Sequence, residues 1–365
     1  MVAFKLALAI LMIGSVNAQI RGCYYEDWSR GRSPPGQFNK AEQYIGGLCS
    51  HVFYAFAQIN GLGVSGPSGG YPAIKKFKEH NPSLKILLSI GGDGTASSFQ
   101  QLVANPANVA TWAKNAVKYA KNNGFDGLDI DWEFPDNQKT QFTNLLKQIR
   151  NNGPKPFLLT AAVAPGISNH AVSAYDIGAI RDTVDFLNVM TYDFMETSVT
   201  GSNAPLGNPM IEWNIAYTIQ WYLNQGMPSS KLILGIATYG KGKTLTTTNK
   251  QGMGVPVSGV ASPAPITKDT MTGTRAQYEL CKWSGSTSTW DANTKTPYIQ
   301  NGNQWYSYEN VQSVTEKINF AKSKNLGGAF IWALDLDDFS NYCGNGKYPI
   351  MNTINKLLIG KAVTG

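Results

Sequence analysis

The stretch Asp126-Gly127-Leu128-Asp129-Ile130-Asp131-Trp132-Glu133 alternates acidic and apolar side chains. On a β-strand, successive side chains point to opposite faces. Asp129, Asp131 and Glu133 would therefore share one face, with neighbouring carboxyls about 7 Å apart. At an effective dielectric constant near 20, each neighbouring pair repels by about 2 kcal/mol. Full ionisation is therefore disfavoured, and this carboxylate ladder is expected to hold a proton near neutral pH.

A carboxyl that keeps its proton can act as a general acid, for example toward a glycosidic oxygen. One alternative is a solvated strand face, which is disfavoured because the inner strands of a parallel barrel are covered on both sides. Another is a metal site, since carboxylates suit hard cations. His51, His80 and His170 lie far apart without ligand spacing. We therefore expect neither a metal nor another cofactor.

Short, β-rich apolar runs recur along the chain, separated by longer amphipathic stretches. This alternation predicts a (β/α)8 barrel, a fold of the α/β class in which chemistry lies at the carboxyl ends of the strands. The eight runs are Gly22 to Tyr25, Val52 to Phe56, Lys85 to Ile90, Gly127 to Trp132, Phe157 to Val163, Phe186 to Met190, Leu232 to Ile236, and Ala329 to Trp332.

Two of the intervening segments show a clear helical period. Each places its apolar residues on one side of the predicted helix, which should pack against the barrel. The first face is Val109, Trp112, Ala113, Ala116, Val117 and Ala120; the second is Phe142, Leu145, Leu146 and Ile149.

The chain divides into three parts by composition. Residues 1–18 combine Lys5, an apolar run and the small-x-small ending Val16-Asn17-Ala18, which predicts a signal peptide and a secreted, extracellular protein. Residues 19–243 and 311–365 are assigned to the barrel. Residues 244–310, rich in Thr, Ser, Gly and Pro, are assigned to a small α+β insertion between the seventh and eighth strands. No segment reaches the length of a membrane span.

The formal net charge is +7, with Lys and Arg scattered along the chain, so no nucleic-acid partner is expected. We expect a monomer. The even number of cysteines in an exported chain predicts two disulfides. Order along the chain favours Cys23 with Cys49 and Cys281 with Cys343, although three pairings are formally possible.

The ladder and several further motifs resemble those of glycoside hydrolase family 18, the family of chitinases and chitinase-like lectins. Asp126, Asp129, Asp131 and Glu133 meet the pattern D-x-x-D-x-D-x-E in full. The other resembling segments, in chain order, are Cys23 to Trp28, Tyr54 to Ala57, Ser89-Ile90-Gly91-Gly92, Met190-Thr191-Tyr192-Asp193, Leu234 to Gly240, and Trp332 to Phe339. The resemblance covers nearly all of the chain after residue 18.

This resemblance implies retaining hydrolysis of β-1,4-linked N-acetylglucosamine in chitin or chitooligosaccharides, with the substrate's acetamido group as nucleophile, an exception to the two-carboxylate rule. Glu133 would be the acid and later the base, Asp131 would stabilise the oxazolinium ion, and Asp129 would share a proton with Asp131. Tyr192 would hydrogen-bond the acetamido carbonyl. Trp332 would form the floor of subsite −1. The other implied substrate-binding residues are Tyr24, Trp28, Phe56, Gly92, Met190, Asp193, Tyr239 and Glu279, the last from the insertion.

Three positions depart from the resembling pattern. Asp93 and the segment Phe194-Met195-Glu196-Thr197 stand where many family members carry tryptophans that resemble platforms on the leaving side of the bond. Lys241 replaces an arginine, so a planar guanidinium that can donate two parallel hydrogen bonds is replaced by a single ammonium group. These departures put substrate length and processivity in question.

Two other functions are compatible with such a barrel, because a fold alone does not fix function. One is a glycan-binding lectin, and the other is an endo-β-N-acetylglucosaminidase acting on N-glycans. Lectin-like members usually lose the acid, whereas Glu133, Asp131 and Tyr192 are all present here. The sequence therefore favours an active endochitinase.

Overall fold

The computed structural model describes residues 19–166, 168–207, 212–268 and 272–364. The predicted signal peptide, residues 1–18, lies outside the described residues. Within these ranges, no helix has both the length and the apolar character needed to cross a bilayer.

The strands of the described ranges form two sheets. In chain order they are β1 (Ile20–Glu26), β2 (His51–Asn60), β3 (Gly63–Ser65), β4 (Lys85–Gly91), β5 (Gly127–Asp131), β6 (Leu158–Val163), β7 (Phe186–Val189), β8 (Leu232–Ala237), β9 (Tyr239–Leu245), β10 (Val257–Val260), β11 (Thr274–Ala276), β12 (Thr287–Asp291), β13 (Thr296–Asn301), β14 (Gln304–Ser307) and β15 (Gly328–Trp332).

The helices mostly follow barrel strands along the chain. They are α1 (Pro72–His80), α2 (Ala96–Val103), α3 (Pro106–Asn122), α4 (Lys139–Asn152), α5 (Asn169–Ala174), α6 (Ile177–Ile180), α7 (Ile215–Asn224), α8 (Gln277–Leu280), α9 (Val311–Ser323) and α10 (Pro349–Ile359), with short 3-10 helices at Asp27–Gly31, Ala41–Gln43 and Ser229–Lys231.

Eight strands close into a barrel in the order β1-β15-β8-β7-β6-β5-β4-β2, with β2 pairing back onto β1. Every pairing around this ring is parallel. The predicted (β/α)8 barrel is confirmed, and each predicted apolar run overlaps one barrel strand. Parallel pairing brings the carboxyl ends of all eight strands to one rim, where a site can be assembled from many strands.

The amphipathic faces of α3 and α4 are confirmed. All six apolar residues predicted for the first face and all four for the second are buried. Just before α3, the Asn105 side chain accepts a hydrogen bond from the Ala107 backbone N–H, which caps the first turn of the helix. The helices therefore cover the outside of the barrel and leave the rim to the loops.

The second sheet is antiparallel and has the order β10-β9-β14-β13-β12, with β11 paired to β9. It lies between β8 and β15 along the chain, as predicted for the insertion. The sheet begins at Tyr239, before the expected start at residue 244. The chain leaves the barrel immediately after β8, whereas its composition changes only several residues later, so composition alone places the boundary too late.

Both favoured disulfides are present. Cys23 on β1 pairs with Cys49 before β2, with a Cα–Cα distance of 6.1 Å. Cys281 after α8 pairs with Cys343 after β15, with a Cα–Cα distance of 5.9 Å. The second bond ties the insertion to the barrel segment that follows it.

Candidate active site

A cleft of about 410 Å³ opens at the carboxyl rim of the barrel. Of the predicted site residues, ten line it, and three do not. Those that line it are Trp28, Phe56, Gly92, Asp131, Glu133, Met190, Tyr192, Asp193, Tyr239 and Trp332. Three non-proline cis peptide bonds, Ala55–Phe56, Glu133–Phe134 and Trp332–Ala333, lie at the same rim.

Asp129 lies beneath this cleft as the innermost member of the ladder, and it is fully buried. Its Oδ2 accepts hydrogen bonds from Tyr24 Oη at 2.7 Å and Ser89 Oγ at 2.8 Å. Its Oδ1 accepts from Thr160 Oγ1 at 2.6 Å and Asn188 Nδ2 at 3.4 Å. Burial raises the pKa of Asp129, and these four donors oppose that rise.

Tyr24 was expected to line the sugar-binding cleft, and the structure places it elsewhere. Its side chain is only 1% exposed, because it stacks on Phe53 at 4.7 Å and points its hydroxyl at Asp129. Tyr24 therefore holds Asp129 from below. It does not meet a ligand at the surface of the cleft.

Asp131 forms the floor of the cleft between Asp129 and Glu133, and its side chain is almost fully buried. Its Oδ1 has no hydrogen-bond partner among the described residues. The proton predicted to be shared between Asp129 and Asp131 therefore has no corresponding hydrogen bond here. Burial first, and then the charges of Glu133, Asp129 and Asp93, raise the pKa of Asp131 well above its usual range. A buried oxygen without a partner favours a ligand that donates a hydrogen bond.

Glu133 follows the end of β5 and faces the cleft. No described residue donates a hydrogen bond to its carboxyl. Burial, followed by the charges of Asp93 and Asp193, raises the pKa of Glu133 to about 7, while Lys241 lowers it. The expected retention of a proton near neutral pH is thus supported, but burial contributes more to it than repulsion along the ladder.

A hydrogen-bonded group forms the wall of the cleft beyond β7 and β8. Tyr239 Oη donates to Asp193 Oδ1 at 2.7 Å, and Lys241 Nζ contacts Asp193 Oδ2 at 2.8 Å. Asp193 has a φ of 63°, in the left-handed region. Beside them, burial and the neighbouring carboxylates raise the pKa of Tyr192 well above its usual range. Tyr192 therefore keeps its hydroxyl proton and can act as a hydrogen-bond donor.

Three aromatic rings form a stacked ribbon along the cleft. Phe56 stacks on Trp332 with ring centroids 5.6 Å apart, and Trp28 stacks on Phe56 at 6.1 Å. Trp28 is 39% exposed. Gly92 has a φ of +93°, and a Cβ there would approach the Phe56 ring to 2.5 Å, so glycine is required for this packing. Such a ribbon suits the apolar faces of pyranose rings.

Glu279 was expected to close the cleft from the insertion, and this expectation is wrong. The side chain is 5% exposed and does not line the cleft. Its carboxyl accepts hydrogen bonds from the backbone N–H groups of Ile266 at 2.8 Å and Ala276 at 3.2 Å, and from the Thr267 hydroxyl. Glu279 therefore holds the loop before β11 against α8.

Sequence reasoning missed several residues at this site. Ser89, Thr160 and Asn188 hold Asp129, and Gln58, Thr274 and Leu336 line the cleft. A polar residue inside an otherwise apolar barrel strand was the available signal for the first three. Ser89 also pairs in register with Asp129 across β4 and β5.

Glu26 also lines the cleft, at the end of β1. It pairs with Arg32, whose Nη1 contacts Asp335 Oδ2 at 2.6 Å. No group of three or more His, Cys, Asp or Glu side chains with metal-binding geometry occurs among the residues that the structure describes.

Comparison with known proteins gives consistent matches over most of the chain. The family model for glycosyl hydrolases family 18 matches residues 20–337. Chitotriosidase-1 of Mus musculus is 35% identical over 380 residues, which cover 96% of this chain and 80% of the mouse protein.

Two solved structures have the same TM-score, 0.88, and the same sequence identity, 34%, and each match covers 93% of this chain and 100% of the other. One is an immunomodulatory active chitinase from Trichuris suis, TsES1. The other is human YKL-39, described as a pseudo-chitinase with retained chitooligosaccharide binding properties. Similarity alone therefore does not separate an active enzyme from a binding protein, and the residues of the site must decide.

Proposed function

The chain belongs to family 18 of the glycosyl hydrolases, and on this premise we propose that it is an active, secreted, retaining endochitinase. Its substrate is chitin or chitooligosaccharide with β-1,4-linked N-acetylglucosamine. The observation that carries this proposal is Glu133, which faces the cleft with a pKa raised to about 7 beside the free Oδ1 of Asp131. Secretion is supported by the leader-like residues 1–18 and by the two disulfides.

In the first step, Glu133 donates its proton to the glycosidic oxygen as the bond to C1 breaks. The acetamido carbonyl oxygen of the −1 sugar attacks C1, which gives an oxazolinium ion and releases the leaving-side sugar. Asp131 Oδ1 accepts the acetamido N–H and stabilises the positive charge. The Tyr192 hydroxyl donates a hydrogen bond to the acetamido oxygen.

In the second step, Glu133, now ionised, removes a proton from water, which attacks C1 and opens the oxazolinium ring. Two displacements at C1 retain the β-configuration. Asp129, held by its four hydrogen-bond donors, acts on Asp131 through its charge. Trp332 carries the apolar face of the −1 sugar.

The shape of the cleft supports internal cleavage. Trp28 lines both the main cleft and an adjoining groove. A saccharide can therefore continue past subsite −1 along the aromatic ribbon and out of the cleft. The groove's other lining residues are Gly31, Arg32, Ser33, Pro34, Pro265, Ile266 and Lys268.

The substitution Glu133→Gln tests the proposal. It should abolish hydrolysis of N-acetylglucosamine hexamer, because an amide cannot donate the proton, while oligosaccharide binding measured by calorimetry survives. Undiminished turnover in the variant would show that Glu133 is not the general acid.

The likeness to YKL-39 makes a carbohydrate-binding protein the second candidate. The binding and hydrolysis assays of the wild-type protein in the same experiment separate the two functions. Binding without hydrolysis by the wild type would favour the binding protein, whereas hydrolysis that depends on Glu133 favours the enzyme.

A further inference from the structure

Five carboxyl side chains line the cleft, although the chain as a whole carries a formal net charge of +7. Lys241, the cation already described in the wall of the cleft, is paired with Asp193 at 2.8 Å. The carboxylates that line the cleft are Glu26, Asp93, Asp131, Glu133 and Asp193. Those of the five that are ionised favour a ligand that carries positive charge.

Most of these carboxylates already have a partner or a proposed role. Glu26 pairs with Arg32, and Asp193 pairs with Lys241 at 2.8 Å. Asp131 and Glu133 belong to the carboxylate ladder. Asp93 remains: it is exposed, and it makes no hydrogen bond or ion pair with any described residue.

The pairing of β4 with β5 brings Asp93 and Glu133 to the same rim of the barrel. Gly91 pairs in register with Asp131, and the Gly92 N–H donates to the Asp131 carbonyl oxygen at 2.8 Å. Asp93 lies two residues beyond Gly91, and Glu133 lies two residues beyond Asp131. The two residues therefore follow the ends of neighbouring strands, and both line the cleft. The charge of Asp93 also acts on both Glu133 and Asp131.

An independent observation indicates that this part of the cleft receives a ligand. Asp131 Oδ1 is buried, and no described residue donates a hydrogen bond to it. In the proposed mechanism this oxygen accepts the acetamido N–H of the −1 sugar. The −1 sugar must therefore keep its acetyl group.

We propose that Asp93 binds the ammonium group of an N-deacetylated sugar in the first subsite on the leaving side, which makes partially deacetylated chitin the preferred substrate. This inference rests on the proposed function and names its substrate class more narrowly. The position follows by elimination. The oxygen that Glu133 protonates joins only two sugars, and the −1 sugar requires its acetyl group. Of these two sugars, the one that can carry a free amine is therefore the leaving one.

The test is sequencing of the products from a chitosan that contains similar numbers of acetylated and deacetylated units. In mildly acidic buffer the amine is protonated. With the wild-type protein, the new reducing ends should be N-acetylglucosamine, and the new non-reducing ends should be enriched in glucosamine. An ion pair in a partly open cleft should give an enrichment of about three- to five-fold, which salt should reduce.

Two variants give the comparison. Asp93→Asn keeps the shape of the side chain and should remove the enrichment, while the new reducing ends remain acetylated. Asp182→Asn makes the same charge change on a side chain that is 87% exposed and precedes β7, at the opposite end of the barrel. It should behave as wild type.

The outcomes separate this inference from the proposed function. If the wild type cleaves fully acetylated oligomers but shows no glucosamine enrichment, or if Asp93→Asn keeps the enrichment, the role of Asp93 is wrong and the enzyme assignment stands. If the wild type cleaves neither substrate, the proposed function fails, and the inference fails with it.

Discussion

Glu133 owes its raised pKa mainly to burial and secondarily to the charges of Asp93 and Asp193. Because the pKa in the folded protein lies above the ordinary value of 4.5, the folded state holds this proton more tightly than the unfolded chain does. Its contribution to stability is fully present below pH 4.5 and is lost as pH rises through about 7. The catalytic proton is lost over the same rise in pH.

Tyr24 gives a second prediction at the residue scale. Tyr24→Phe removes one of the four donors to Asp129 and leaves a buried carboxylate oxygen with one hydrogen bond fewer. We expect the free energy of unfolding to fall by about 1–3 kcal/mol and kcat to fall, while KM stays close to the wild-type value. Urea denaturation and steady-state kinetics measure these quantities. A large rise in KM with unchanged stability would instead mean that Tyr24 contacts sugar.

The strand period predicted the three members of the carboxylate ladder, whereas the other site residues were implied by the resemblance of their motifs to the family. Asp129 and Asp131 share one face of β5, and Glu133, two residues beyond the end of that strand, lines the cleft with Asp131. Tyr24 and Glu279 could not be placed in this way. Their surroundings depend on neighbours that are distant in sequence, such as Asp129 for Tyr24, and only tertiary packing brings them together.

At the scale of elements, the aromatic ribbon joins β2, β15 and the 3-10 helix after β1 into one surface. Trp28→Ala should raise KM for N-acetylglucosamine hexamer by about 5- to 10-fold, since one stacking platform is lost. We expect dimeric reporter substrates to end before Trp28, so their cleavage should change little.

A matched control for Trp28→Ala is Trp290→Ala. Trp290 is a half-buried tryptophan on β12 of the insertion, and it does not line the cleft. This control should leave KM for both substrates at the wild-type value. Equal effects of Trp28→Ala on long and short substrates would contradict the extended ribbon.

The eight barrel strands and the faces of α3 and α4 could be predicted because buried β-runs and helical periods leave a direct pattern in sequence. The second sheet was harder to predict. Its strands are short, with exposed positions on β10 and β12, and its first strand continues from β8 after a single residue. The unusual composition of the insertion indicated that it was present, but no pattern in the sequence indicated where its first strand begins.

At the scale of the whole molecule, the bond between Cys281 and Cys343 closes a loop with a sequence separation of 62 residues. The double substitution Cys281→Ser and Cys343→Ser should lower the free energy of unfolding by about 2–4 kcal/mol, because the unfolded chain regains conformational freedom. Urea denaturation without reductant measures the change. A loss below about 0.5 kcal/mol would show that the insertion is held by packing alone.

The fold leaves Glu133 half-buried at the wall of a cleft that is open to a saccharide. The most direct measurement is a carbon-13 NMR titration of the glutamate side-chain carboxyls, with Glu133→Gln used to assign the signal. The account predicts a midpoint for Glu133 at about pH 7. A midpoint near the ordinary value of 4.5 would contradict it, because Glu133 would then hold no proton to donate at neutral pH.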